Sequence, residues 1–258
     1  MHFKTIYKYK NLVGELVLRD LKTKYRRSIL GFIWSILNPL MMMVILTFVF
    51  TNIFGYKDNT FPIYVLSGQI VFSFFSDSTN MAMSSVVDAS ALIRKVYIPK
   101  YILPISRVIS SFINLIFSLI AVIIVMVVLK IHVTSAIIFF PIPLVYVFLF
   151  SIGISLMLSS IAVYFRDMIH LYGVLLTVLM YISAIFYKAE DMINKPFIGF
   201  FLKFNPVWRF IDMFRNTILF GKIPNIHDNF ICIGFIVASI LMGSIMFYKV
   251  QNKFILYI

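Results

Sequence analysis

Phosphate, metal and acyl chemistry each need particular side chains at particular spacings, and this chain supplies none of those sets. Its one Gly-Lys pair, Gly221-Lys222, lacks both the upstream glycine and the following Ser or Thr of a phosphate-binding loop. The four histidines (His2, His132, His170 and His227) are scattered without metal-ligand spacing. The ten acidic residues are dispersed, and no Ser, His and Asp grouping stands out. A single cysteine, Cys232, excludes a disulfide within the chain and a cysteine-rich metal site. No catalytic residue and no metal ligand is therefore assigned.

What remains is charge placed on short helices, in three groups. In the first, over 8–27, Tyr9, Leu12, Val13, Leu16, Val17 and Leu21 fall on one side of a 3.6-residue helix. Arg19, Lys22 and Arg26 share the polar side, and Tyr25 follows the same helix. Glu15–Arg19 and Asp20–Lys24 stand at i,i+4 spacing. A basic amphipathic helix of this kind lies at a membrane surface and attracts anionic head groups; the competing reading is a plain topogenic anchor. In the second group, SSVVDASALIRKVYI (84–98) predicts a short helix capped by Asp88 and stopped by Pro99. Leu92, Ile93 and Val96 give it an apolar edge beside Arg94 and Lys95, which suits docking of a soluble partner. The third group lies in 188–229, which reads as two short helices around Asn205-Pro206, with Pro206 at a first helical position. Arg209, Asp212, Arg215 and Asn216 form one stripe there, and apolar residues fill the rest. Helices this short cannot cross a bilayer, so the expectation is a re-entrant hairpin, with a surface-lying pair as the alternative.

The elements that must position these groups are apolar spans. The 258 residues are 61% hydrophobic and 13% charged, with 28 Phe and 14 Tyr. Mean hydropathy is +0.97. Gly31–Phe54 has no charged residue, and a bilayer core needs about 20 apolar residues. Spans are expected at 31–54, 61–83, 104–129, 137–163, 170–187 and 230–250, all helical because the runs are continuous and not alternating. The net charge of +13 is read as positive-inside bias and not as nucleic-acid binding, since the cations lie beside spans. Fifteen Lys and Arg on one side of the short connections against two on the other put both termini in the cytoplasm. The first span is the expected insertion signal, with no cleavable leader before it. Within the spans, Asp77 either faces a cavity or partner or caps a span end, and Asn38-Pro39 marks a kink. Arg166-Asp167 is expected to pair locally. The absence of a buried carboxylate relay and of an inverted repeat argues against a proton-driven carrier.

Four stretches carry a family resemblance. ELVLRDLKTKYRRSILGFIWSILNPLMMMVILTFVF (15–50), LIRKVYIPKYILPISRV (92–108), YFRDMIHLYGVLLTVLMYISAIFY (164–187) and FNPVWRFIDMFRNTILFGKIP (204–224) resemble, in order, the membrane subunits of type-two ABC exporters of cell-surface polysaccharides. These are the O-antigen, capsule and teichoic-acid permeases. Ala184 departs from the family, which commonly has proline in its SPI-like triplet.

The resemblance implies an all-α polytopic membrane protein of six spans in a bacterial plasma membrane. It implies a gate helix within 1–30, a membrane domain over 31–250 and a cytoplasmic tail over 251–258. Arg19, Lys22, Tyr25 and Arg26 would belong to the gate. Asp88, Leu92, Arg94 and Lys95 would belong to a coupling helix at about 84–98. Asn205, Pro206, Arg209, Asp212 and Arg215 would belong to a re-entrant region at about 196–220. Two copies would form a channel, two separate ATPase subunits would bind ATP and Mg, and this chain would carry no cofactor. The cargo would be a glycan on an undecaprenyl-pyrophosphate carrier, threaded outward. The alternatives are an ABC exporter of drugs or small lipids, and a membrane-embedded transferase on polyprenyl carriers, for which the chain lacks an acidic cluster.

Overall fold

The computed structural model describes residues 8–26, 28–52, 58–189 and 196–254, and their regular structure is helix, with no strand among them. The helices are α1 (Lys10–Tyr25), α2 (Trp34–Asn52), α3 (Phe61–Asp88), α4 (Ser90–Lys95), α5 (Ile102–Val128), α6 (Pro141–Tyr164), α7 (Met168–Ile182), α8 (Pro196–Phe204), α9 (Pro206–Ile218) and α10 (Ile226–Val250). Three starts are written in the sequence. Pro62 and Pro141 stand in the first turns of α3 and α6, where a missing N–H costs nothing. Asn225 caps α10, its side-chain oxygen accepting from the His227 N–H.

The central element is α3, which packs against α2, α5, α6, α7 and α9. The main apolar core gathers Leu66, Val71 and Phe74 of α3 with Val108 and Leu115 of α5, Val147 and Phe150 of α6, and Phe210 and Phe214 of α9. A second cluster joins Leu16 of α1, Val86 of α3, Ile93 of α4, Leu103 of α5 and Phe247 of α10. The outward faces are also apolar: Phe48, Ile123, Val127, Val174 and Leu241 are exposed, as bilayer-facing side chains are. Helices α6 and α10 touch backbone to backbone. A Cβ on Gly153 would run into the backbone of Ser239, and one on Gly243 would run into the Gly153 carbonyl. Small residues permit this approach where lipid offers no hydrophobic drive between helices.

Four segments among the described residues are long and apolar enough to cross a bilayer: Gly31–Asn52, Ile102–Val128, Ser135–Tyr164 and Ile226–Lys253. The other two expected spans differ. Helix α3 is long enough but too polar, with Gln69, Asp77 and Asn80 along it. Helix α7 has 15 residues and ends at Ile182, so it reaches only about 22 Å at 1.5 Å per residue.

The boundary near 83 also moves. The second span does not stop there, because α3 continues to Asp88, and the connecting helix shrinks to the six residues of α4. Pro39 lies inside α2 without ending it. Arg166 and Asp167 are both exposed, and no ion pair joins them among the described residues.

Candidate functional site

Helix α1 buries Leu16, Val17, Asp20 and Leu21 and exposes Arg19, Lys22 and Lys24. Sequence reasoning put the working charge on Arg19, Lys22 and Arg26. The structure disperses that group. Tyr25 is the last helical residue, and Arg26 has already left the helix with an extended backbone. Lys22 is exposed and lines neither of the two clefts beside this helix. Lys24, outside that group, lines both clefts, and its Nζ stands 3.4 Å from Asp77 of α3. The expected Asp20–Lys24 pair is not made, because the two side chains turn to different helices.

Asp20 instead anchors a buried network. Its side chain is 2% exposed, and Arg107 of α5 reaches it at 2.8 Å. Arg19 donates to the same carboxylate at 3.2 Å, and the Ser110 hydroxyl donates at 3.4 Å. The second arm of Arg107 lies 3.6 Å from Asp88, which also accepts from the Ser84 hydroxyl at 2.8 Å. A carboxylate this buried must be paired, and here the pairing is charge-assisted on three sides. One guanidinium thus ties α1 to the end of α3.

Asp88 is therefore not the cap of the connecting helix. It is the last residue of α3, and Ala89 precedes α4 with no side-chain capping bond. Arg94 and Lys95 are exposed on α4, while Ile93 is buried and Leu92 packs partly against the second apolar cluster. Leu16 belongs to that same cluster, so α1 and α4 rest on a common apolar floor.

Two clefts open beside this network and meet at Lys24 and Asp77. The lower, about 670 Å³, is lined by Arg19, Asp20, Lys24, Asp77, Asp88 and Arg107 among others. The upper, about 350 Å³, lies between α2, α3 and α5 and includes Asn38, Gln69, Ser73, Asp77, Asn114 and Ser118. Asp77 thus sits in the middle of α3, 53% exposed and facing a partner, which removes the span-end reading. The signal for these residues was present in the sequence as polar positions recurring every three or four residues along α3 and α5, but of that set only Asp77 and Asp88 were singled out.

At the other end of the bundle, Pro206 takes the first helical position expected of it, and Asn205 caps the helix. The Asn205 side-chain oxygen accepts from the N–H groups of Val207 at 3.0 Å and Trp208 at 3.3 Å, and Pro206 opens α9. Its amide donates to the Ser183 hydroxyl at 2.9 Å, fixing α9 to the end of α7. Arg209 lies 3.7 Å from Asp228, and Asp212 accepts from Asn216 at 2.9 Å.

Arg215 does not share their surface. It is 1% exposed and inserted between helices, donating to the carbonyls of Tyr64 at 2.9 Å, Ala184 at 2.9 Å and Ile185 at 3.3 Å. The Tyr64 ring lies 3.5 Å from its guanidinium carbon. Gly68 leaves the room, since a Cβ there would strike the guanidinium. Ala184 holds φ +48, a left-handed turn that proline cannot adopt. Its carbonyl is thereby aimed at Arg215.

In the same loop region outside the spans, Asp58 accepts from Lys188 at 2.6 Å and from the Thr60 N–H at 2.8 Å. The Lys188 hydrogen bond, followed by that of Thr60, holds its carboxyl down at about 2. No group of three or more His, Cys, Asp or Glu among the described residues is placed to hold a metal.

The sequence profile described as ABC-2 type transporter matches residues 11–219. The chain is 27% identical over 220 residues to the O-antigen export system permease protein RfbA of Myxococcus xanthus, covering 85% of each. It is 26% identical over 246 residues to the O-antigen export system permease protein RfbA of Klebsiella pneumoniae, covering 95% of this chain and 93% of that one. It is 26% identical over 228 residues to the polysialic acid transport protein KpsM of Escherichia coli, covering 83% of each.

Proposed function

The chain belongs to the ABC-2 type transporter family, and from that premise we propose that it is the membrane permease subunit of an ATP-driven exporter of a cell-surface polysaccharide. The observation that carries this reading is the near full-length likeness to permeases named for O-antigen and polysialic acid. These relatives are named for glycans, which favours a glycan over a drug or a small lipid. The chain has no phosphate-binding loop, so ATP and Mg are assigned to a separate ATPase subunit.

The finer reading has four parts. The cargo is a glycan on an undecaprenyl-pyrophosphate carrier, moved outward. Two copies of the chain and two ATPases assemble, with α4 as the docking element and α1 as the gate at the cytoplasmic side. Six helices cross the membrane: α3 crosses with its polar positions turned to the clefts between helices, and α7 crosses together with the turn that follows it. The α8–α9 pair is a re-entrant hairpin on the outer side.

Deletion of the reading frame tests the proposal, with surface glycan measured by immunoblot. Surface glycan should disappear, glycan should accumulate inside, and an ATPase should co-purify with the tagged chain. Unchanged surface glycan in the deletion strain would overturn the proposal.

A further inference from the structure

Polar positions recur on two neighbouring helices with a helical period. On α3 they are Gln69, Ser73, Asp77, Asn80, Ser84 and Asp88, and on α5 they are Arg107, Ser111, Asn114 and Ser118. All but Ser84 line the two clefts, which join at Lys24 and Asp77 into one track running from the α1–α4 end into the bundle.

Polar residues also serve as glue between membrane helices, and part of this set does that: the Ser118 hydroxyl donates to the Ser35 carbonyl at 2.9 Å. Glue alone leaves no cleft and no unmet acceptor. Here Ser73 and Asn38 stay exposed, and the Gln69 side-chain oxygen, itself buried, has no hydrogen-bond partner among the described residues. In the upper cleft Lys24 and Asp77 are the charged residues and they face each other, so the lining is net neutral. Amide, hydroxyl and carboxylate groups there offer donors and acceptors together. Trp34 adds a half-exposed ring whose apolar face suits the C–H side of a ring-shaped ligand.

We propose that this track binds the neutral, hydroxyl-bearing sugar units of the exported glycan, with Gln69, Ser73 and Asn38 as hydrogen-bonding contacts and Trp34 as the stacking surface. A sugar hydroxyl both donates and accepts, which matches a mixed neutral lining better than a phosphate does. The lower cleft carries more charge, three cations and three carboxylates that also balance. The inference rests on the polysaccharide reading and deepens it.

The test uses the full chain in native membrane vesicles with its ATPase partner. Ser73→Cys is reacted with a charged, membrane-impermeant thiol reagent, in vesicles from cells that make the lipid-linked glycan and from cells blocked in its synthesis. Ile123→Cys, on the outward face of α5 at 59% exposure, is the lipid-facing control. Ser73→Cys should react, at least fivefold more slowly when glycan is present, and Ile123→Cys should stay unreacted in both. No reaction at Ser73→Cys, or equal rates with and without glycan, overturns the proposal.

In parallel, Gln69→Leu/Ser73→Leu should lower surface glycan at least tenfold while the chain remains inserted and bound to the ATPase. Normal export by that variant in a strain whose deletion parent shows no surface glycan would sink the track and leave the polysaccharide reading standing. If the deletion parent keeps its surface glycan, the polysaccharide reading falls with it. If the double variant fails to insert, the reactivity of Ser73→Cys decides alone.

Discussion

At the residue scale the decisive group is Arg215. A guanidinium removed from water must place its donors on protein, and this one places them on three carbonyls from two separate parts of the chain. The rigid fork matters: a lysine ammonium cannot span the same acceptors. Arg215→Lys should therefore lower stability by about 2 kcal/mol and Arg215→Ala by about 3 kcal/mol, read as thermal unfolding in detergent. Equal stability of wild type and Arg215→Ala would show that the staple contributes nothing.

Asp58 gives a pH prediction of defined sign. Its folded value, about 2, lies below the ordinary 3.8, so its pairing with Lys188 stabilises the protein above that ordinary value and is lost as pH falls through about 2. The pair is about one-third exposed, and screening reduces the effect to about 1 kcal/mol. Asp58→Asn should remove the stability lost between about pH 4 and pH 2, measured as unfolding temperature against pH. A slope identical to wild type would count against the assignment.

Among elements, the junction of α1, α3 and α5 turns on Arg107. Arg107→Met leaves the Asp20 carboxylate buried beside Arg19 and Ser110 alone, which should cost about 3 kcal/mol. Asp20→Asn/Arg107→Met removes both charges and should lose clearly less, because no lone charge stays buried. A double-mutant cycle in detergent reads the difference; additive losses would mean the pair is not coupled. Arg107 also connects α1 to Asp88, the last residue of α3, two positions before α4 begins. The double variant is accordingly expected to bind its ATPase normally yet export poorly.

The elements themselves were largely readable from sequence. Four of the six expected spans, the helix start at Pro206 and a short helix ahead of Pro99 were each marked by local chemistry. The end of α3 was misplaced because nothing between Ser84 and Asp88 breaks a helix, so backbone hydrogen bonding carried on past the expected boundary.

For the whole molecule, orientation is the open prediction. The charge asymmetry predicts residues 1–30 and the C-terminal tail in the cytoplasm and the α9–α10 loop outside. Lys222→Cys should react with an impermeant reagent in intact cells, and Lys95→Cys only after permeabilisation. The reverse pattern would invert the topology.

The sequence alone determined the membrane class, the helical architecture and the family, because hydropathy and helical period are local properties of the chain. It also showed which side chains share a face of one helix. It did not show which face meets which neighbour. Only packing decided that Lys24 and not Lys22 faces Asp77, that Arg107 holds Asp20, and that Arg215 leaves its polar stripe for carbonyls up to 151 residues away. The rotation of each helix about its axis is set by the jigsaw of buried volumes and by the need to pair every buried charge. Those constraints act between segments distant in sequence, where no local pattern records them.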